Sequence, residues 1–447
     1  MLDKSNPIER RMQITTLAWP ILVEILLRTA ISTSDVFMLS GYSDLAVSAI
    51  GVISQIIFFL MIISMMVSTG TGILIGQYNG SGRTQQSTDV AVASVVLGGI
   101  LGLGLSLFAF FAANPIVIMY GLESDVATFA YDYLIITGSF TLTVTLGIVF
   151  STILRSNGYS RTPMIVNLLT GGLNIFGNYC ALYQPFGLPV YGVQGVAVAT
   201  AFSQVINTMI LWIMIHKKHI ALPMMSFKKI PQMTYKKIMH IGVMNAGEML
   251  SYNLSQMVIV YLVVRMGTAS LTAFTYAQNI ARVSFAFALA VGQASQIQTS
   301  YYVGKKWIEQ ILTRVQIYFL VSFAVSVALT CIVFFFRYEL LDIFTQDPEV
   351  ITLTAGLIAG SILVEAGRVF NLVFISALKG AGDIKFPVQL GILSMWGVAV
   401  SLTYLLGVQF GFGVLGAWLA LAADEWVRGV IMARRWRSKV WTKFNLI

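Results

Sequence analysis

The sequence predicts an all-α integral membrane protein of twelve transmembrane helices, arranged as two six-helix bundles related by a pseudo-twofold axis along the membrane normal. Three observations lead to this prediction: a very apolar composition, basic residues confined to alternate loops, and an internal repeat. Of the 447 residues, 57% are hydrophobic and only 11% are charged, against about 25% charged residues in an average soluble domain. A water-soluble fold is therefore excluded.

Long apolar runs locate the membrane spans. Each run exceeds the roughly 18 residues needed to cross a hydrocarbon core of about 30 Å, and the connections between the runs are short. The predicted spans lie near residues 13–39, 46–75, 89–113, 126–153, 163–183, 191–215, 236–263, 269–297, 309–336, 350–378, 384–408 and 412–433.

The distribution of basic residues predicts the orientation of these spans. The net charge of +9 would suggest a nucleic-acid partner in a soluble protein. Here nearly all Lys and Arg residues fall on alternate loops, and the opposite loops keep only Arg265 and Arg337. Because cytoplasmic loops carry the excess of Lys and Arg, we expect both termini in the cytoplasm of a multi-pass protein of the cell (inner, cytoplasmic) membrane. Its surroundings are then the lipid bilayer, and no nucleic-acid partner is expected.

An internal repeat relates the two halves of the chain. The segment VFSTILRSNGYSRTP (149–163) aligns with VFISALKGAGDIKFP (373–387) at an offset of 224 residues, and the same offset pairs Glu24 with Glu248. An even number of spans per repeat gives both halves the same orientation in the membrane, with a cleft between them. Such folds transport by rocking one half against the other.

The repeat and the composition divide the chain into four parts. The longest polar stretch contains Pro223, Pro231 and six lysines and lies at the middle of the sequence, as a linker between domains should. The predicted parts are an N-terminal six-helix lobe (1–215), a cytoplasmic basic linker (216–237), a C-terminal six-helix lobe (238–433) and a basic cytoplasmic tail (434–447).

Ionisable residues inside membrane spans are costly and are functional candidates by default. On predicted helix one, Glu24, Arg28 and Asp35 lie within about 40° of one another around the helix axis. Glu24 and Arg28 are four residues apart and can form a structural ion pair. Asp35 has no adjacent cation, and burial of such a carboxyl group favours its protonated form. Asp35 is therefore the candidate for proton or cation coupling; the alternative is a static, hydrogen-bonded aspartate near the helix end.

Two further features support this candidate site. On predicted helix five, Asn174 and Asn178 share one face and are candidates for a polar wall opposite Asp35, whereas Asn167 on the same face fits interhelical hydrogen bonding. Pro20 removes a backbone hydrogen bond within helix one, so a kink is expected there, either static or a hinge.

The second half carries its own charged residues within the predicted spans. Glu365 and Arg368, three residues apart, are candidates for a structural ion pair. Arg282 is expected to extend toward the cytoplasmic interface by snorkelling. The remaining charged residues are expected in buried or interfacial pairs: Glu248, Asp424, Glu425 and Arg428.

Motifs of other functional classes are missing from the sequence. It contains no Walker A, HExxH or GxSxG sequence and no cluster of His and Cys residues. An ATP-driven pump, a membrane enzyme and a metal or organic cofactor are therefore not expected. Without a TVGYG-like filter loop, a potassium channel is not expected either.

The duplication, the segment PILVEILLRTAISTSDVFMLS (20–40) and the repeated TILRSNGYSRTP and SALKGAGDIKFP segments resemble the multidrug and toxic compound extrusion (MATE) family over essentially the whole chain. This resemblance implies secondary antiport, in which entry of a proton, or less readily of sodium, drives export of bulky, apolar and often cationic compounds. It also implies a monomer whose partners are small-molecule drugs, organic cations and protons.

Within that family the sequence resembles the DinF-like prokaryotic branch, which places a helix-one proline fifteen residues before a functional aspartate, as with Pro20 and Asp35. That branch also has a polar pair on helix five, which Asn174 and Asn178 match. The second position is often Asp in the branch, and Asn178 leaves one acid, which favours proton coupling over sodium coupling.

The NorM-like branch has a second cation site in the C-terminal lobe. The position of its helix-ten acid is Arg368 here, and its helix-seven Glu falls near Tyr252. A C-terminal cation site of that type is therefore not expected.

Two alternatives to a proton-coupled exporter stay open from the sequence: sodium-coupled drug antiport, and a flippase of the same superfamily for lipid-linked precursors or polysaccharides. A flippase cavity should be strongly cationic to hold phosphates, and few Lys or Arg residues lie at the middle of the predicted spans. A receptor or assembly scaffold without transport activity would not need the acid at position 35. The drug exporter is the preferred hypothesis.

Overall fold

The structure, a computed structural model, describes residues 7–183, 187, 189–444 and 446–447, and the regular structure within these residues is entirely helical. The helices are α1 (Pro7–Arg11), α2 (Ile14–Ser40), α3 (Asp44–Gly80), α4 (Thr84–Tyr120), α5 (Ser124–Ser139), α6 (Thr141–Ser156), α7 (Arg161–Leu182), α8 (Gly192–Lys217), α9 (Gln232–Val264), α10 (Thr268–Gly304), α11 (Ile308–Phe335), α12 (Arg337–Asp342), α13 (Pro348–Ala381), α14 (Lys385–Gln409, partly π-helical) and α15 (Gly413–Arg437). Short 3-10 helices cover Met224–Lys229 and Val440–Phe444.

Most of these helices can cross a membrane. Within the described residues, nine are long and apolar enough: α2, α3, α4, α7, α8, α10, α11, α13 and α14. The bent pair α5 and α6 passes the same test when its two helices are taken together, which gives ten spans among the described residues if the pair crosses as one. The helices α9 and α15, of 33 and 25 residues, occupy the predicted seventh and twelfth spans. Both carry charged side chains, such as Glu248 and Arg428, which lower their hydropathy.

The first compact unit consists of Met1–Asn79 and Arg83–Ala246. Within it α2 packs along α7, α7 packs along α8, and α4 packs on both α5 and α6. A buried apolar cluster that includes Leu39 and Ala181 holds the end of α2 near α7. This packing places the two polar helix faces that the sequence predicts, those of Asp35 and Asn178, next to each other.

The second compact unit consists of Gly80–Gly82 and Gly247–Ile447. Its central element is α13, which packs against α10, α11 and α15. Phe274 and Trp418 meet edge-to-face in its apolar core, with ring centroids 5.4 Å apart. The boundary between the units lies within α9, so the residues predicted as a linker, 216–237, belong by their contacts to the first unit.

One predicted span is not a single straight helix. The span near 126–153 consists of α5 and α6, bent by 46° at Phe140, whereas its repeat counterpart α13 runs unbroken for 34 residues. At the bend, Ser139 donates to the carbonyl of Ile135 and Thr141 donates to the carbonyl of Gly138. Side-chain hydroxyls that bond to helix carbonyls compete with the backbone ladder and bend helices. The equivalent positions of α13 are Leu363 and Glu365, which have no hydroxyl.

Candidate cation-coupling site and charged networks

Asp35 lies on α2, in the half of the helix that leads to its last residue, Ser40, and its side chain is half-buried. Asn178 of α7 donates from Nδ2 to Asp35 Oδ1 over 2.6 Å. Among the described residues, no Lys, Arg or His nitrogen lies within 4.0 Å of the Asp35 carboxylate. The acid is thus held by a neutral amide and has no counterion.

Asn178 and Asn174, both on α7, continue the hydrogen-bonded network away from Asp35. Asn178 is fully buried, and its Nδ2 also lies 3.5 Å from Asn174 Oδ1. Asn174 in turn donates from Nδ2 to the hydroxyl of Thr200 on α8 over 3.1 Å. In the described part of the chain, Asn178 Oδ1 is a buried acceptor without a hydrogen-bond partner. One side of the amide next to Asp35 is therefore available to accept a proton donor.

Sequence reasoning missed two members of this site. Thr200 of α8 accepts a hydrogen bond from Asn174, and Tyr133 of α5 packs against the buried cluster that contains Leu39 and Ala181. The signal in the sequence is helical spacing: Ser203, Gln204 and Asn207 share one face of α8 with Thr200, and Thr137 lies four residues after Tyr133 on α5. Only the packing of α5 on α8 brings them to Asp35.

Pro20 lies on α2, fifteen residues before Asp35, and is buried. The helix continues through it from Ile14 to Ser40. Because proline has no N–H, the carbonyl four residues earlier, that of Thr16, loses its usual helical donor. The kink expected at Pro20 and its use as a hinge both stay predictions.

Glu24 lies in a different network from Asp35. Its buried carboxylate pairs with Arg155, in the last turn of α6, and accepts from Asn167 Nδ2 over 2.8 Å. The expected partner Arg28 is farther away, at 3.5 Å, and its side chain is 56% exposed. Arg155 follows the predicted fourth span, 126–153, and its pair with Glu24, together with Asn167, joins α2, α6 and α7.

The second unit contains the counterpart of this network. Lys379, in the last turn of α13, lies 2.5 Å from the buried carboxylate of Glu248 on α9. These residues are the counterparts of Arg155 and Glu24 at the offset of 224, and both pairs join residues 131 positions apart. The counterpart of Asn167 is Gly391, where a Cβ atom would meet Glu248 Oε1 at 3.1 Å.

A larger charged network lies between α13 and α15. Arg368 contacts Glu365 at 2.5 Å and Glu425 at 3.6 Å, and Arg428 pairs with both Asp424 and Glu425. Ser394 and Asn371 complete it, donating to Asp424 and Glu425. Three carboxylates and two guanidinium groups are thus buried together, and Glu365 Oε2 has no hydrogen-bond partner in the described part of the chain.

A metal centre finds no support among the described residues, where no three His, Cys, Asp or Glu side chains come together in a way that could hold a metal ion. The groups around Asp35 are its own carboxyl group, the amides of Asn178 and Asn174, and the hydroxyl of Thr200.

Comparison with known proteins identifies relatives over the whole length of the chain. The family model MatE matches residues 20–180 and 246–405. The uncharacterized transporter YisQ of Bacillus subtilis (strain 168) is 38% identical over 439 residues, which are 98% of this chain and 96% of that protein. The probable multidrug resistance protein NorM of Thermotoga maritima is 26% identical over 442 residues, which are 99% of this chain and 95% of that protein.

Solved structures share the fold. An outward-facing multidrug resistance MATE family transporter of the MOP superfamily superposes with a TM-score of 0.87 at 18% identity, covering 97% of this chain and 96% of that one. A MOP superfamily transporter from Pyrococcus furiosus, whose binding pocket is described as having reversed polarity, gives 0.87 at 19% identity over 95% of both chains. These matches confirm the predicted fold class of twelve membrane helices in two lobes.

Proposed function

Because the chain belongs to the multidrug and toxic compound extrusion (MATE) family, we propose that it exports bulky apolar or cationic compounds in exchange for protons, with Asp35 as the residue that binds and releases the proton. The chain is a multi-pass membrane transporter and not an enzyme, and MATE transporters handle small-molecule drugs without a cofactor. Rocking of the two lobes would carry substrate across the membrane, as in other transporters built from parallel repeats.

The observation that carries the proposal is the environment of Asp35. A carboxyl group that is half-buried, without a counterion, and hydrogen-bonded by an amide can exist in both protonation states. An amide has both a donor and an acceptor. Asn178 donates to the ionised Asp35. When Asp35 is protonated, a rotation of the Asn178 amide by about 180° would let its unpartnered Oδ1 accept from the carboxyl O–H.

The same environment favours a proton over sodium. A hard cation is bound by several oxygen ligands, with carboxylates supplying the charge. Next to Asp35 the structure offers an amide nitrogen, that of Asn178, and the further members of this hydrogen-bond network, Asn174 and Thr200, are neutral. A single negative charge with few free oxygens suits a proton better than a sodium ion.

Protonation can change the shape of this lobe through α2. The hydrogen bond from Asn178 ties α2 to α7, and it is strongest when Asp35 is ionised because charge-assisted hydrogen bonds are about twice as strong as neutral ones. Binding of a proton weakens the tie, and the missing backbone hydrogen bond at Pro20 lets the helix bend. Asn174 and Thr200 form the wall against which the carboxyl group moves.

The same proposal includes the placement of the protein. We place it in the cell (inner, cytoplasmic) membrane, as a monomer with both termini in the cytoplasm, because the basic loops lie on one side. In this orientation Asp35 lies in the outer half of α2, where protons from outside reach it first.

An efflux assay tests the proposal. Export of a fluorescent organic cation from reconstituted vesicles is measured under an imposed pH gradient, and separately under a sodium gradient, for the wild type, for Asp35→Asn and for Asp89→Asn. Asp89, which accepts from Gln85 at 3.0 Å near the start of α4, is the matched control. Export should follow the pH gradient in the wild type and in Asp89→Asn and be lost in Asp35→Asn. Export that follows sodium alone would establish sodium coupling instead, and normal export by Asp35→Asn would exclude the role of this residue.

A further inference from the structure

The helix α10 carries an exposed polar stripe halfway along a predicted membrane span. Thr275, Gln278, Asn279 and Arg282 recur at the spacing i, i+3, i+4 and i+7, which places them on one face of the helix. All four side chains are exposed. The opposite face, with Ala273, Phe274 and Ala277, is buried in the apolar core of the second unit.

This stripe is not satisfied by the protein. In the described part of the chain, Gln278, Asn279 and Arg282 take part in no hydrogen bond or ion pair, and Thr275 uses its hydroxyl proton on the carbonyl of Leu271 at 2.8 Å. Polar groups exposed to hydrocarbon would cost several kcal/mol each without a partner. The stripe therefore faces water or a bound ligand and not lipid.

Snorkelling does not account for the stripe. Arg282 lies near the middle of the predicted span 269–297, and its side chain is long enough to bend toward an interface. The neighbouring Gln278 and Asn279 have shorter side chains and lie about 13–15 Å from the nearer end of that span, at 1.5 Å per residue, which is too far for them to reach an interface. An aqueous surface along this part of α10 accounts for all of these side chains together.

The first unit has a homologous stripe with a different charge. At the offset of 224 the counterparts are Gly51, Ser54, Gln55 and Phe58, and all of them are exposed on α3. Three of the positions are small or polar in both repeats, but the fourth changes from Phe58 to Arg282. The added positive charge is therefore a property of the second unit alone.

We propose that the α10 stripe is a substrate-binding surface and that Arg282 recognises an oxyanion, with a carboxylate as the favoured group, on an amphiphilic substrate. This inference rests on the transport function proposed above and adds to its substrate class bulky compounds that carry a carboxylate, zwitterions among them. The guanidinium group offers a planar fork of N–H donors that matches two carboxylate oxygens. Gln278 and Asn279 supply amide donors and acceptors on the same face.

A matched pair of dyes tests this inference. A rhodamine that carries a free carboxylate and the methyl ester of the same rhodamine differ only in the group that Arg282 would bind. Affinity is measured by fluorescence polarisation with the purified full-length chain in detergent, for the wild type, Arg282→Gln, Arg282→Lys and Val283→Ala. Val283 is the adjacent exposed residue, which has no polar group, and serves as the control.

The wild type and Val283→Ala should bind the free acid about tenfold more tightly than the ester, as a charge-assisted hydrogen bond implies. Arg282→Gln should lose this preference while it keeps its affinity for the ester, which also shows that the variant is folded. Arg282→Lys should keep part of the preference, because the charge stays and the fork is lost. Equal binding of acid and ester by the wild type, or an unchanged ratio in Arg282→Gln, would overturn the inference.

Transport of the same dyes separates this inference from the function on which it rests. If a pH gradient drives the ester and not the acid, the transport function stands and the role of Arg282 is wrong. If the acid binds through Arg282 but no gradient moves either dye, the binding surface stands and drug antiport is wrong. A fluorescent polyprenyl diphosphate that displaces the acid and is itself moved across the membrane would support the oxyanion surface and identify a lipid headgroup as its source.

Discussion

Glu24 of α2 and Arg155 of α6 form an ion pair in the first unit, and Glu248 of α9 and Lys379 of α13 form the same pair in the second. The residues in each pair are 131 positions apart. The basic residue of the pair is Arg in the first repeat and Lys in the second, and the acidic residue is Glu in both. The two repeats therefore share this tie between helices.

Loss of the Glu24 carboxylate should destabilise the first unit strongly. Glu24→Gln leaves Arg155 without its counterion in a buried site, and breaking a buried pair costs about 3–5 kcal/mol. The midpoint of thermal unfolding in detergent measures the effect. The control is Glu309→Gln, which breaks the exposed pair of Glu309 with Lys439 and should cost about 0–1 kcal/mol. A double variant, Glu24→Gln with Arg155→Gln, should recover most of the loss, and a double variant as unstable as the single one would argue against the pair.

The second pair should behave like the first. Lys379→Met leaves the buried Glu248 carboxylate unpaired, so we expect a destabilisation similar to that of Arg155→Met, of about 3–5 kcal/mol. Lys379→Arg, which imitates the first repeat, should be tolerated. Unfolding curves of the three variants in one detergent decide the matter. Sensitivity in one repeat alone would show that the two pairs have taken on different roles.

In the charged network between α13 and α15, replacing an acidic residue and replacing a basic residue should have unequal effects on stability. With three carboxylates and two guanidinium groups, an ionised network carries one uncompensated negative charge. Glu365→Gln removes that charge and should leave stability unchanged or raise it. Arg368→Gln leaves three acids with one base and should cost about 3–5 kcal/mol. The unfolding midpoints of the two purified variants test the difference, and equal losses would contradict this charge balance.

Asn178 should control which ion the transporter uses. Asn178→Asp places a second carboxyl group next to Asp35, which adds a charge and oxygen ligands, so we expect efflux to respond to sodium in addition to the pH gradient. Asn178→Leu removes the hydrogen bond from Asn178 to Asp35 and should abolish coupling while the protein still binds substrate. Gradient-driven efflux with each ion measures both effects. An Asn178→Leu variant with normal proton-driven efflux would show that the amide is not needed.

The sequence predicts the helices and part of the Asp35 site because both rest on local periodicity. Asp35 and Asn178 each stand out as polar residues at fixed helical positions, and the structure joins them. Thr200 carries a similar signal, because Ser203, Gln204 and Asn207 share its face of α8. The packing of α5 on α8, which brings that face and Tyr133 to the site, does not follow from periodicity. The bend at Phe140 also escapes prediction, because it depends on hydroxyl groups that bond to the helix backbone.

The partner of Glu24 shows a second limit of prediction from the sequence: spacing along one helix does not reveal contacts between helices. Spacing on one helix favours Arg28, but the buried carboxylate takes Arg155 from a helix more than one hundred residues away along the chain. Arg28 is left largely exposed as a result. The alignment of the repeats contained the missing signal: the Glu and the basic residue recur together at one offset. Reading the two positions as a pair would have predicted the contact.

The measurement that tests the central claim most directly is the proton movement that accompanies drug movement. Vesicles that contain the purified protein and a trapped pH dye are prepared without any pH or sodium gradient, and a fluorescent organic cation is then added on one side. We predict that the drug gradient drives protons in the opposite direction in the wild type and that Asp35→Asn moves no protons. Drug movement without proton counterflow in the wild type, or undiminished counterflow in Asp35→Asn, would contradict proton-coupled antiport through Asp35.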